Sequence, residues 1–82
     1  MTRYYIHNNA GVGYVVAQLE DESNWFRSCR FVCNFGDRQS DAFEFRDDCN
    51  NGVIPENRIK FLMDKYTDTP CKYMGKGILK KQ

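Results

Sequence analysis

Residues 25–35 read Trp-Phe-Arg-Ser-Cys-Arg-Phe-Val-Cys-Asn-Phe, and the alternation of side-chain types in this stretch decides the predicted fold. Successive side chains of a β-strand point to opposite faces, so every second residue shares a face. One face is mostly apolar and is predicted to pack on the core: Trp25, Cys29, Phe31, Cys33 and Phe35, with Arg27. The opposite face is predicted to carry Phe26, Ser28, Arg30, Val32 and Asn34.

The chain before this strand is predicted to form a β-hairpin. Residues 3–8 and 12–19 have the composition of strands, and between them lies Asn8-Asn9-Ala10-Gly11. Asparagine and glycine accept the positive φ angles that hairpin turns need. The second strand is apolar on both faces, which is typical of a strand in the middle of a sheet. A polar, acidic loop follows at residues 20–24.

Two interpretations compete for the segment after residue 40. Phe43 and Phe45 alternate with polar residues between positions 42 and 46, which predicts a fourth, short strand. In the competing interpretation Ser40 caps a helix that runs to Cys49. That helix aligns three residues on one face: Ala42, Phe45 and Cys49. We expect the strand and leave the helix open.

The C-terminal half predicts one helix and a basic tail. The helix is expected over residues 53–68, because Pro55 suits a first turn and an apolar stripe follows at helical spacing. That stripe consists of Ile59, Leu62, Met63 and Tyr66. Residues 69–82 are expected to be an edge strand or a basic tail. The whole chain is thus predicted to be a single α+β domain, in which a four-stranded antiparallel meander (residues 1–48) packs against one helix.

The near-neutral charge of the chain conceals an uneven distribution. Twelve Lys and Arg against eleven Asp and Glu give a formal net charge of +1 over 82 residues. Residues 20–48 contain eight acidic and four basic residues, whereas residues 69–82 contain four lysines and no acidic residue. The total excludes a strongly basic nucleic-acid-binding surface spread over the whole chain. The segregation favours docking in one orientation.

The N-terminal sequence predicts the cellular compartment, and the compartment predicts the redox state of the cysteines. We see no export signal and no apolar run long enough to span a membrane, so a cytoplasmic protein is expected. A reducing cytosol keeps thiols reduced, so Cys29, Cys33, Cys49 and Cys71 are expected to be free. Only the first two are close in sequence, and on a strand their sulfurs lie too far apart to share a zinc ion. No metal and no cofactor are predicted.

No motif in the sequence specifies a reaction. His7 is the only histidine, and its position near a hairpin turn does not indicate an acid–base or nucleophilic site. The adjacent carboxylates Asp47 and Asp48 are predicted to lie in a solvated loop. The glycine pairs at residues 11–13 and 75–77 lack the rest of a phosphate-binding motif. The protein is therefore not expected to be an enzyme, and no catalytic residue is predicted.

Phe61 is the residue that best indicates a binding surface. At 100° per residue it points about 200° away from Ile59, in the sector of the predicted helix that holds Arg58 and Lys65. Either the Ile78-Leu79 segment covers the ring, which is the expected case, or the ring is an anchor for a partner protein.

We expect a non-enzymatic protein that docks on a larger protein and modulates or inhibits it. The expected contact residues are Phe61, Arg58, Lys65, Phe26 and Arg30. Small stand-alone proteins of this kind are often inhibitors or adaptors, and phages and other mobile elements encode many of them. The alternative is a single-stranded nucleic-acid-binding module that uses sheet aromatics and the lysines of the tail: Lys72, Lys76, Lys80 and Lys81. Neither hypothesis specifies an oligomeric state.

Overall fold

The computed structural model describes residues 3–9, 13–19, 29–66 and 70–81. Within these ranges the elements follow one another as two strands, a third strand, two helices and two short strands. Their bounds are β1 Arg3–Asn9, β2 Gly13–Leu19, β3 Cys29–Asn34, α1 Gln39–Asn50, α2 Glu56–Tyr66, β4 Cys71–Tyr73 and β5 Leu79–Lys81. The chain is α+β, as predicted.

The first three strands form an antiparallel sheet in the order β1-β2-β3, with β2 in the centre as its two apolar faces predict. The hairpin prediction is confirmed: β1 and β2 pair in register from Arg3 opposite Leu19 to Asn9 opposite Gly13. Residues 10–12 of the predicted turn, the acidic loop at 20–24, and Trp25 to Ser28 of the predicted strand lie outside the described residues.

The predicted fourth strand is wrong, because residues 42–46 belong to α1. The competing helix interpretation is the correct one, since the buried residues of α1 are Ala42, Phe45 and Cys49. Their spacing places all three on one helical face, and that face packs on β1 and β2. The four-stranded meander with a single helix is thus replaced by a three-stranded sheet covered by two helices.

The predicted core face of the third strand is only partly right. Val16 pairs with Cys33 but Ala17 pairs with Phe31, so Val32 is an extra residue in β3, a β-bulge. The bulge interrupts the alternation, and Val32 and Cys33 both enter the core. Val32 is 0% exposed, whereas Phe31 is 40% exposed, the reverse of the prediction for these two residues. The ring of Phe31 instead stacks on the imidazole of His7, with 5.7 Å between ring centroids.

The second helix and the tail complete one core. Helix α2 begins at Glu56 and buries Ile59 and Leu62 as predicted, with Met63 partly buried; the side chain of Tyr66 is outside the described part. The tail forms a separate two-stranded ribbon, in which β4 and β5 pair antiparallel. All seven elements contribute to one cluster of buried side chains, with Phe35 and Phe45 in contact at its centre.

Candidate partner-binding surface

Phe61 lies on the outer face of α2 and is 49% exposed, so the Ile78-Leu79 segment does not cover it. Two cations flank its ring. The guanidinium carbon of Arg58 lies 5.2 Å from the ring centroid, and Nζ of Lys65 lies 5.5 Å from it. These residues are three before and four after Phe61, which are the spacings that place helical side chains next to one another. Both distances are within the roughly 6 Å at which cation–π attraction acts.

Arg58 also connects this face of α2 to the β4–β5 ribbon. Its Nε donates a hydrogen bond of 3.2 Å to the backbone oxygen of Gly77. Gly77 packs closely against Ile54, in the loop before α2. A Cβ atom added at Gly77 would lie 3.1 Å from Cγ2 of Ile54. Its φ angle of +78° also favours glycine. The turn that carries the exposed Ile78 is therefore held against Arg58. We call Phe61, Arg58, Lys65 and Ile78 the Phe61 patch.

The other attachment of the ribbon is to α1, through Tyr73. Its hydroxyl donates a 2.5 Å hydrogen bond to Oδ2 of Asp48 and accepts a 3.0 Å bond from the backbone nitrogen of Gly77. Its backbone nitrogen donates a 3.1 Å bond to Oδ2 of Asp41. Burial, and then the hydrogen bond to Asp48, raise the pKa of Tyr73, so the phenol remains protonated. Gly77 is thus fixed between Tyr73 and Arg58.

The sequence does not predict this network. From the sequence, Asp47 and Asp48 are expected in a solvated loop, and Tyr73 is not expected to have a role. The signal that could have found Asp48 is the helical spacing of Asp41, Phe45 and Asp48, which places all three toward one side of α1 once the helix is recognised.

The predicted partner-binding residues do not all lie together. The structure brings Phe61, Arg58 and Lys65 into one patch on α2, as their spacing predicts. Arg30 is exposed on a different element, β3, opposite Gln18. Phe26 lies outside the described residues.

Three of the four tail lysines line a groove of about 400 Å³. Its lining residues are Arg38, Lys72, Met74, Lys80 and Lys81. Lys72 and Lys80 are directly opposite each other across the ribbon. Arg38, which the sequence analysis did not single out, immediately precedes α1. Lys76 is not among the lining residues and lies in the turn of the ribbon, with a φ angle of +54°. The groove concentrates positive charge that the sequence distributes over three segments: the residue before α1, β4 and β5.

The cysteines are thiols, and their surroundings keep them protonated. Cys33, Cys49 and Cys71 are buried and Cys29 is half-buried. Burial is the main cause of a raised pKa at all four, and it raises that of Cys49 to about 12. Cys49 lines a cavity of about 320 Å³ together with Tyr4, Ile54 and Ile59. A neutral thiol is a poor nucleophile, so this cavity has no activated cysteine.

Within the described ranges, no group of three or more His, Cys, Asp or Glu side chains is arranged to hold a metal ion. Over the same ranges, no helix has both the length and the apolar character needed to cross a membrane.

No protein-family model, curated protein or solved structure matches the chain.

Proposed function

We propose that this chain is a non-enzymatic binding protein that docks on a larger protein through the Phe61 patch and modulates or inhibits it. The observation that carries the proposal is the half-exposed ring of Phe61 held between Arg58 and Lys65. Aromatic and arginine side chains are enriched among the residues that contribute most to protein–protein affinity.

The energetics favour a binding role for this ring over a role in the fold. Ile59 and Leu62 already fill the core side of α2. Transfer of a phenylalanine side chain from water into an apolar pocket contributes about 1.5–3 kcal/mol, and part of that remains available at Phe61. The cation–π contacts favour the observed orientation of the ring in the free protein, which reduces the conformational entropy lost when it binds.

The charges around the ring indicate the chemistry of the partner surface. Arg58 and Lys65 flank the ring, and the exposed Ile78 follows Gly77, whose carbonyl oxygen accepts a hydrogen bond from Arg58. The complementary surface is an apolar pocket with an acidic rim, which would orient the two proteins during association.

The test compares three immobilised proteins in a native cell lysate: the wild type, Phe61→Ala and Val53→Ala. Val53 is 50% exposed on the loop between α1 and α2, so it controls for the loss of an exposed apolar side chain. We expect a protein retained by the wild type and by Val53→Ala, and bound about 30-fold more weakly by Phe61→Ala when purified and titrated. Equal retention of every captured protein by all three would contradict the proposal.

A further inference from the structure

We propose a second binding site, independent of the Phe61 patch: the groove between Arg38 and the β4–β5 ribbon binds single-stranded nucleic acid through its phosphate backbone. Four cations from three segments of the chain line the groove, and none of the described lining residues is acidic. The protein as a whole has a formal charge of only +1, so attraction of a polyanion has to come from a local cluster of this kind.

Two of the groove lysines occupy directly paired positions of the ribbon. Lys72 and Lys80 face each other across β4 and β5, and like charges directly opposite in an antiparallel pair destabilise it. Lys81 and Arg38 add two further positive charges to the same groove. A bound row of phosphates lowers this repulsion and releases counterions from the nucleic acid, which is the main source of sequence-independent affinity.

The dimensions and lining of the groove select the form of the ligand. The groove has a volume of about 400 Å³, which accommodates a short stretch of one sugar–phosphate chain. In the part of the chain that the structure describes, the lining has no aromatic residue on which a base could stack, and Met74 is its one apolar side chain. Recognition therefore depends on phosphate and not on base identity.

The test is fluorescence anisotropy of a labelled single-stranded oligothymidylate with the full chain. If four phosphates are neutralised, the slope of log K against log salt concentration is about −2.8, and affinity falls about 50-fold between about 50 mM and about 200 mM salt. The double variant Lys72→Gln, Lys80→Gln removes two contacts, and we expect its loss over the same salt range to be about 7-fold. Both side chains are exposed, so we expect the variant to fold, which its thermal melting curve checks.

The matched control is Lys60→Gln, Lys76→Gln, which has the same net charge but alters two exposed lysines outside the groove lining. We expect it to retain the slope of the wild type. Phe61→Ala should also bind the oligonucleotide normally, so failure of this proposal and failure of the docking proposal are distinguishable. Three results would overturn the proposal: no anisotropy change at low salt, an equal loss in the control variant, or displacement of the oligonucleotide by an equimolar polyglutamate of equal charge.

Discussion

The hydroxyl of Tyr73 lies 2.5 Å from Oδ2 of Asp48, and this hydrogen bond joins the C-terminal ribbon to α1. The same hydroxyl accepts the backbone N–H of Gly77, whose carbonyl oxygen accepts a hydrogen bond from Arg58 of α2. One phenol therefore connects both helices through the turn of the ribbon. The exposed Ile78 and the basic groove both depend on the ribbon keeping this position.

The first prediction concerns Asp48→Ala, which leaves the buried hydroxyl of Tyr73 without its acceptor. We expect a loss of about 1–3 kcal/mol in the free energy of unfolding, measured by urea denaturation. Asp47→Ala is the matched control on the same helix. The side chain of Asp47 is 57% exposed and pairs with the neighbouring Arg46, so we expect a change below about 1 kcal/mol. Equal losses in the two variants would contradict the assigned role of the Tyr73 bond.

The second prediction separates the two faces of α2. Leu62 is 0% exposed, so Leu62→Ala should lower the free energy of unfolding by about 2–5 kcal/mol. Phe61→Ala, one residue away, should lower it by less than about 1 kcal/mol, because the ring packs mainly against two cations at the surface. Thermal or urea unfolding of both variants measures the difference. A large loss for Phe61→Ala would show that the ring belongs to the core.

The third prediction concerns Gly13, where β2 meets the turn after β3. A Cβ atom at Gly13 would lie 2.3 Å from the backbone oxygen of Gly36, which accepts the N–H of Tyr14. We therefore expect Gly13→Ala to lower the free energy of unfolding by more than about 3 kcal/mol.

Gly52→Ala is the control for Gly13→Ala. Gly52 also has a positive φ angle, +76°, but a Cβ atom there meets nothing within 4 Å. Backbone strain alone should make its loss about 1–2 kcal/mol. If the two variants unfold at the same urea concentration, the close approach of Gly13 to Gly36 does not limit stability.

The fourth prediction is a loss of stability at alkaline pH. Burial raises the pKa of the Cys49 thiol from 9.0 to about 12, so the unfolded chain releases this proton at lower pH than the folded protein does. The contribution of Cys49 is complete below about pH 9 and decreases between pH 9 and 12, at up to about 1.4 kcal/mol per pH unit.

The comparison is the slope of unfolding free energy against pH, measured for the wild type and Cys49→Ala between about pH 9 and pH 10, below the ordinary pKa of tyrosine. The variant also loses packing, but that loss is the same at every pH and does not affect the slope. We expect a shallower slope for Cys49→Ala. An unchanged slope would show that the thiol ionises equally in both states.

The bulge at Val32 shows why strict alternation does not predict which residues of β3 are buried. Alternation in the stretch around Phe31 and Cys33 predicts one continuous apolar face, yet one extra residue in β3 places Phe31 outside and Val32 inside. A bulge depends on the register with the neighbouring strand. The register in turn depends on contacts between residues far apart in sequence, which a single segment does not contain.

Residues 40–49 also show that a local sequence pattern does not by itself decide the secondary structure. Their composition permits a strand through Phe43 and Phe45 or a helix through Ala42, Phe45 and Cys49, and both patterns bury Phe45. The helix forms because its buried face fits against β1 and β2, with Asp48 and Asp41 bonded to the ribbon. Tertiary packing thus decides between two local preferences.

The sequence by itself determined the hairpin, the central position of β2, the stripe of α2 and the grouping of Phe61 with Arg58 and Lys65. Each of these follows from a spacing of a few residues along a strand or a helix. Only the tertiary structure decided that Phe61 stays exposed, that the tail pairs with itself, and that Arg38 joins Lys72, Lys80 and Lys81 in one groove. These features depend on how separate elements are placed relative to one another, and long-range contacts such as Tyr73–Asp48 and Arg58–Gly77 set that placement.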